Sequence, residues 1–234
     1  MNYPLATDSW GFEERLAILK VMAKGKYTMG EEVSKFEAAF AKKMGVAHAI
    51  MTNSGSSANL VGLAALVYSK QIAPGSEVIV PAVSWSTTYF PITQLGLVPV
   101  FVDIDDMTFN MATWRVSAAI SDKTAAILAV NLLGMPCQLK WMRQLCKSKN
   151  IFLIEDNCES LGATHYNQQA GTFGIFGTYS FFFSHHMQTM EGGMIITNDE
   201  VLADYARSLR AHGWVRDVRT DALYVKGTYP EFEE

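Results

Sequence analysis

Residues 125–156 read AAILAVNLLGMPCQLKWMRQLCKSKNIFLIED, and this stretch decides the fold. It begins with a nearly continuous apolar run at 125–133, continues with a helical pattern over 137–150 and ends with a second apolar run at 151–156. Short apolar runs of this kind are typical of strands that are buried on both faces. A strand, a helix and a second strand in direct succession predict a parallel sheet covered by helices.

The same alternation extends along the chain in both directions. Strands are also predicted at HAIMTN (48–53), EVIVP (77–81), VPVFVDID (98–105), TYSFFF (178–183) and GMIITN (193–198). Helices are predicted over 11–24, in TMGEEVSKFEAAFAKKMG (28–45), over 56–69 and over 86–96, the last one interrupted by Pro91. The sequence therefore predicts an α/β fold with a largely parallel sheet and helices on both faces.

Composition argues against several functional classes. The 234 residues carry a formal net charge of -4, so the chain lacks the basic surface that nucleic-acid binding requires. The three cysteines have no CxxC spacing, and no metal site is expected. The charged N-terminal segment does not resemble a secretory signal, and the apolar runs are too short to span a membrane. A cytoplasmic globular protein is the expectation.

Functional residues of such sheets lie where strands end, and polar groups follow three of the predicted strands. In NSGSSANL (53–60), Gly55, Ser56 and Ser57 begin a helix and either bind a phosphate or cap the helix. Asp156 closes the strand 151–156 and either caps the next helix or pairs with a protonated ring nitrogen. His185 and His186 follow the predicted strand 178–183; neighbouring extended residues point opposite ways, so one of them is expected to face a site.

The motifs NSGSSANL, PAVSWSTTY, IEDNCESLGAT, AGTFG and SFFFSHHMQTMEGG, in this order, resemble the DegT/DnrJ/EryC1/StrS sugar aminotransferase family of pyridoxal-phosphate enzymes. The resemblance implies the aspartate-aminotransferase fold (type I), in which the large domain has a seven-stranded, mixed and mostly parallel sheet. It also implies that residues 1–234 are the N-terminal segment and the cofactor-binding large domain of a longer chain, whose small C-terminal domain is missing.

The family motifs assign roles to residues at matching positions. Gly55, Ser56, Ser57 and Ser180 would hold the cofactor phosphate, and Trp85 would stack on the pyridine ring, unless it is an ordinary core tryptophan. Asp156 would keep the pyridine nitrogen protonated, so that the ring withdraws electrons. Glu159 would approach the ring hydroxyl, a position at which many family members have Gln.

In this family the lysine that binds pyridoxal covalently lies five residues after the phosphate-binding serine, and here that position is His185. No lysine occurs between Lys149 and Lys226. Imidazole forms no stable imine, but it transfers protons near its ordinary pKa of about 6.5. The resemblance therefore implies a nucleotide-sugar 3-dehydratase that uses pyridoxal and pyridoxamine phosphate, with His185 as the acid–base group and a structural role for His186.

The expected partners follow from the same resemblance. They are a nucleotide sugar, most closely GDP-4-keto-6-deoxymannose, L-glutamate as amino donor, and a second copy of the chain in a homodimer. Alternatives remain at this stage: a plain sugar aminotransferase, a CDP-sugar 3-dehydratase with an iron–sulfur cluster, or a truncated, non-catalytic remnant. The sequence contains no motif that recognises a particular nucleotide base, so it does not identify the nucleotide of the sugar substrate.

Overall fold

The computed structural model describes residues 8–219, together with residues 4, 6 and 223. These residues contain a seven-stranded sheet with the strand order β1-β9-β8-β5-β4-β2-β3 and a separate two-stranded hairpin, β6-β7. The strands are β1 (His48–Thr52), β2 (Glu77–Pro81), β3 (Val98–Val102), β4 (Thr124–Val130), β5 (Phe152–Asp156), β6 (Thr164–His165), β7 (Gln168–Gln169), β8 (Phe176–Ser180) and β9 (Gly193–Thr197).

Most of the sheet is parallel. Strands β3, β2, β4, β5 and β8 run in one direction, and β9 lies antiparallel between β8 and β1. This mixed pattern confirms the predicted architecture. The pairing also aligns the strand ends, because Val130 lies beside Asp156, Asp156 beside Thr178, and Ser180 beside Gly193. The segments that follow β4, β5 and β8 therefore leave the sheet at the same edge.

Helices pack on both faces of the sheet, apart from the first helix, which has no buried residue. They are α1 (Phe12–Lys24), α2 (Glu31–Met44), α3 (Gly55–Tyr68), α4 (Ser86–Gln94), α5 (Thr113–Ala119), α6 (Leu139–Lys149) and α7 (Glu200–Arg210), with a short 3₁₀ turn at Leu132–Gly134. Among the described residues, no helix has the length and apolarity needed to cross a bilayer.

Alternating side chains of β4 explain why the sheet needs both helical layers. Ala126, Leu128 and Val130 belong to the core that contains α3 and α7, whereas Ile127 and Ala129 belong to the core beneath α5 and α6. Successive side chains of a strand point to opposite faces, so a strand that is apolar throughout must be covered on both. The apolar run that predicted the fold thus has its expected environment.

Several details differ from the sequence-based prediction. The predicted strands 98–105 and 125–133 each extend three residues too far, because β3 ends at Val102 and β4 ends at Val130. The predicted strand 178–183 is wrong at both ends, because β8 covers residues 176–180 and the backbone turns after Ser180. Phe181 is nevertheless fully buried, since its ring packs edge-on against Phe36 and Phe40 of α2. Helix α4 continues through Pro91 to Gln94 without interruption, and neither α5 nor the β6-β7 hairpin had been predicted.

Candidate active site

Three strand ends meet so closely that only glycine fits at two positions between them. A methyl group on Gly55 would lie 2.6 Å from Ser180 Cβ and 2.8 Å from Cys158 Sγ. A methyl group on Gly193 would overlap the Ser54 carbonyl group. The turn that begins α3, the segment after β5 and the end of β8 therefore form one continuous surface.

The first turn of α3 has free amide groups at this surface. Ser54, not one of the predicted site serines, caps the helix, because its Oγ accepts from Ser57 N at 3.0 Å. The amides of Gly55 and Ser56 have no intrahelical acceptor at this position, and the first turn contains no acidic residue. The positive end of a 14-residue helix and these amides suit an anion, with the exposed Ser56 and the part-buried Ser57 and Ser180 beside them.

Asp156 lies at the end of β5 with only 5% of its surface exposed. Its Oδ2 accepts hydrogen bonds from Asn59 Nδ2 at 2.8 Å and from Thr88 Oγ1 at 3.1 Å. Its Oδ1 accepts from the backbone of Cys158 at 3.1 Å, so the carboxylate also caps the following turn. The interpretation of Asp156 as a helix cap is wrong, because β5 is followed by a turn and the next helix is α7. Its pairing with a ring nitrogen stays a prediction.

Trp85 is exposed and lies immediately before α4. Its side chain is 73% exposed, which excludes the alternative of an ordinary core tryptophan. The backbone N–H of Thr88 donates to the Trp85 carbonyl at 3.0 Å, so Trp85 and Thr88 share the first turn of the helix. A large aromatic surface left open beside a buried carboxylate suits a flat aromatic ligand.

The two histidines lie in a turn after β8 and not on a strand, so the strand-alternation argument for them was wrong. His185 is part-buried and His186 is exposed. Burial lowers the pKa of His185 below its ordinary value, while the carboxylates of Glu159 and Asp156 act in the opposite direction and His186 adds to the lowering. The carboxylates of Glu159 and Asp156 are therefore close enough to influence the pKa of His185, which burial nevertheless lowers.

Glu159 is fixed by the loop that follows β4. Its Oε2 accepts a hydrogen bond from Leu133 N at 2.9 Å, and Leu133 itself has a positive φ of 53° and an exposed side chain. The second carboxylate oxygen of Glu159 is not used by this bond. The structure thus brings Glu159, Asp156 and His185 to one end of the sheet.

Several polar residues at this edge were not identified from the sequence. Asn59 and Thr88 contact Asp156, and Thr178 Oγ1 donates to Asn59 Oδ1 at 2.6 Å. Glu155 is fully buried and accepts from the backbone of the loop 171–174. Burial raises the pKa of Glu155 to about 7 although these donors oppose the shift.

The three cysteines are free thiols in two different parts of the structure. Cys137 and Cys146 are buried in the core beneath α6, where burial raises the pKa of each thiol to about 12. Cys158 alone borders the candidate site, next to Gly55. Within residues 8–219, no group of three or more His, Cys, Asp or Glu side chains is arranged to hold a metal ion.

Comparison with known proteins gives a consistent picture. Residues 9–228 match the model of the DegT/DnrJ/EryC1/StrS aminotransferase family. The chain is 49% identical over 220 residues to GDP-4-keto-6-deoxy-D-mannose 3-dehydratase of Yersinia pseudotuberculosis, an alignment that covers 93% of this chain and 56% of that protein. The chain thus spans a little over half the length of this curated relative.

Two solved structures are similar in fold as well as in sequence. One is a GDP-4-keto-6-deoxymannose-3-dehydratase mutant with bound GDP-perosamine, with a TM-score of 0.92 and 47% identity over 96% of this chain and 58% of that one. The other is the same type of enzyme with a trapped PLP-glutamate geminal diamine, with a TM-score of 0.93 and 46% identity over 100% of this chain and 61% of that one.

Proposed function

The chain belongs to the DegT/DnrJ/EryC1/StrS aminotransferase family, and we propose that it forms the cofactor-binding part of a nucleotide-sugar 3-dehydratase. The proposed reaction removes the C3 hydroxyl group of a 4-keto-6-deoxy sugar, with GDP-4-keto-6-deoxymannose as substrate. The relatives with this activity and the bound GDP-perosamine in one of them support the choice of substrate. Such a deoxysugar would serve cytoplasmic synthesis of lipopolysaccharide O-antigen.

The residues at the strand ends fit pyridoxal or pyridoxamine phosphate. The open amides of α3 with Ser56, Ser57 and Ser180 would bind the phosphate group, and Ser180 lies beside this turn because residue 55 has no side chain. Trp85 would cover the ring and Asp156 would accept from its protonated nitrogen. Glu159 would lie toward the ring hydroxyl group. When bound, the cofactor supplies an amine for the sugar ketone and an electron-withdrawing ring.

His185 is the observation that carries the proposal. It occupies the position of the family's lysine, five residues after Ser180. The carboxylates of Asp156 and Glu159 are close enough to interact electrostatically with its imidazole. Burial lowers its pKa, which favours the neutral imidazole, the form that can accept a proton. In the proposed reaction His185 takes a proton from C4′ of the cofactor and delivers a proton to the departing C3 hydroxyl group.

Two partners complete the proposal. L-glutamate would return the cofactor to its amine form, as the PLP-glutamate adduct in a similar enzyme suggests. A second copy of the chain would cover the apolar side chains near the site, because Trp85, Leu133 and Met135 are 73%, 76% and 49% exposed. Large exposed apolar side chains grouped at one edge are typical of interaction surfaces.

The proposal is tested by product analysis. The purified protein is incubated with pyridoxamine phosphate, L-glutamate and GDP-4-keto-6-deoxymannose, and the sugar is examined by proton NMR. We expect the C3 hydroxyl group to be replaced by hydrogen while C4 remains a ketone. A sugar that gains an amino group at C4 and keeps its C3 hydroxyl group would identify an aminotransferase instead.

A further inference from the structure

Asp156 is held by two side chains from two different helices, and this arrangement has a consequence for the cofactor site proposed above. Asn59 of α3 and Thr88 of α4 both donate to Oδ2 of the carboxylate. We propose that Asn59 and Thr88 are positioning residues, which fix the Asp156 carboxylate relative to the phosphate-binding turn and to Trp85. This inference rests on the proposed function, because it assigns the two residues a role in holding the cofactor ring.

The hydrogen bonds around Asn59 have only one possible direction. Thr178 Oγ1 lies 2.6 Å from Asn59 Oδ1 and must donate to it, because an amide oxygen is only an acceptor. The amide NH₂ group of Asn59 therefore faces Asp156, with Nδ2 at 2.8 Å from Oδ2. All three side chains are buried, so water cannot replace these bonds at low cost.

The hydrogen bonds around Thr88 are directed in the same way. Thr88 has one hydroxyl proton, and it donates this proton to Asp156 Oδ2 at 3.1 Å. Ser84 Oγ lies 3.0 Å from Thr88 Oγ1 and must then be the donor of that pair. Ser84 thus holds the Thr88 hydroxyl group in the orientation that serves Asp156.

Counting lone pairs shows what is left for a ligand. A carboxylate offers roughly four acceptor sites. Asn59 and Thr88 occupy two on Oδ2, and the Cys158 backbone occupies one on Oδ1. The remaining acceptor capacity also receives a hydrogen bond from the thiol of Cys158, a weak donor that the stronger N–H donor of a protonated pyridine ring would displace. The two side-chain donors therefore determine which oxygen meets the ring.

Each donor also lies one helical turn from a group that we assign to the cofactor. Asn59 follows Gly55 by four residues on α3, and Thr88 follows Trp85 by three residues at the start of α4. Residues at these spacings lie on the same side of a helix. The clamp formed by Asn59 and Thr88 consequently sets the distances between the phosphate-binding turn, the carboxylate and the stacking indole ring.

A purely structural role would also explain buried hydrogen bonds to a carboxylate, so the test must measure the cofactor itself. Pyridoxal phosphate is titrated into purified parent protein and into the Thr88→Val and Asn59→Leu variants, and its absorbance is recorded from acid to alkaline pH. Thr88→Ser restores the hydroxyl group, and Thr93→Val removes a threonine hydroxyl group from the exposed part of the same helix.

We expect Thr88→Val and Asn59→Leu each to weaken the binding of pyridoxal phosphate about tenfold, the lower end of the loss seen when residues that orient metal ligands are removed. The midpoint of the absorbance titration should move to lower pH, because a misplaced carboxylate stabilises the protonated ring less well. Thr88→Ser and Thr93→Val should keep the parent Kd and midpoint.

Parent values of Kd and midpoint in both variants, with only a lower unfolding temperature, would overturn the inference and leave the proposed function intact. If Asn59→Leu does not fold, Thr88→Val decides alone. Failure of the parent protein to bind pyridoxal phosphate would instead overturn the proposed function, and the positioning role with it.

Discussion

The strand end that carries Asp156 and the turn that carries His185 are held by different kinds of contact. Asp156 is almost completely buried and receives three hydrogen bonds, two of them from side chains distant in sequence. His185 is part-buried in a turn whose backbone N–H donates locally to Phe182 O at 2.9 Å. One site thus combines a carboxylate fixed by the core with an imidazole on a loop.

This difference matches the two tasks that we propose. A group that stabilises charge works best when its orientation is fixed before the reaction. A group that moves a proton between two atoms has to reach both of them, and loops allow such adjustments more readily than strand ends. Substitution of either residue tests whether the two have these different tasks.

The largest effect is expected for His185→Lys. Lysine has the primary amine that imidazole lacks, so it should bind pyridoxal covalently and eliminate dehydration. Lysine is also mostly protonated at neutral pH, with an ordinary pKa of about 10.4, and is a poor base unless burial lowers that pKa. Borohydride reduction followed by intact-protein mass spectrometry would detect the covalent adduct.

His186→Lys is the matched control, because it places the same amine on the neighbouring, exposed residue. We expect no adduct in this variant and near-parent dehydration. An adduct in His186→Lys but not in His185→Lys would mean that the two histidines have exchanged roles.

A somewhat smaller effect is expected for Asp156→Asn. A neutral amide cannot stabilise a charged pyridine ring, so kcat should fall by about 10²- to 10³-fold, the usual loss when one preorganised electrostatic contact is removed. Phosphate and stacking contacts remain, so most of the cofactor should stay bound, as measured by its absorbance after gel filtration. Asp122 is an exposed aspartate that precedes β4, and Asp122→Asn serves as the control. Near-normal turnover would leave Asp156 only its capping role.

The pH dependence of kcat/KM tests how burial and the Glu159 carboxylate affect the pKa of His185. Its pKa is lowered by burial, so the acidic limb of the profile should have its midpoint below 6.5 and activity should be complete at neutral pH. The carboxylate of Glu159 raises this pKa, and Glu159→Gln should therefore move the midpoint to still lower pH. Glu191 is exposed and lies in the same loop as His185, so Glu191→Gln serves as the control and should leave the midpoint unchanged. A midpoint that moves upward in Glu159→Gln would contradict the assignment.

The smallest effect is expected for Gly55→Ala. The added methyl group would lie 2.6 Å from Ser180 Cβ, and relief of this overlap should cost about 1–3 kcal/mol in the free energy of unfolding. Urea denaturation of parent and variant measures this cost. At Gly11, the N-cap of α1, a methyl group meets its nearest neighbour at 3.4 Å, so Gly11→Ala has no overlap to relieve and should cost only the less favourable N-cap residue, which is less than Gly55→Ala. Equal stability of both variants would show that the turn and β8 are not in tight contact.

Strand positions could be predicted because they depend on local apolar patterns. The buried run of β4 and the sequence EVIVP, which is β2 from end to end, are examples. The end of β8 could not be predicted in this way, since Phe181 continues the apolar pattern past the strand end and is buried by the rings of α2.

The site was predictable only in part for a similar reason. Family motifs pointed to Asp156 and His185, and the structure brings both to one end of the sheet. The partners of Asp156 carry no local signal, because Asn59 lies 97 residues and Thr88 lies 68 residues away in sequence. Only the packing of α3 and α4 beside β5 makes them neighbours.

The central claim is that His185, in place of a lysine, transfers the proton during dehydration. The most direct measurement compares single-turnover dehydration by pyridoxamine-phosphate-loaded parent, His185→Asn and His186→Asn proteins. We expect His185→Asn to be slower by about 10²- to 10⁴-fold, the usual contribution of a general acid–base group, and His186→Asn to match the parent. A parent-like rate in His185→Asn would contradict the claim.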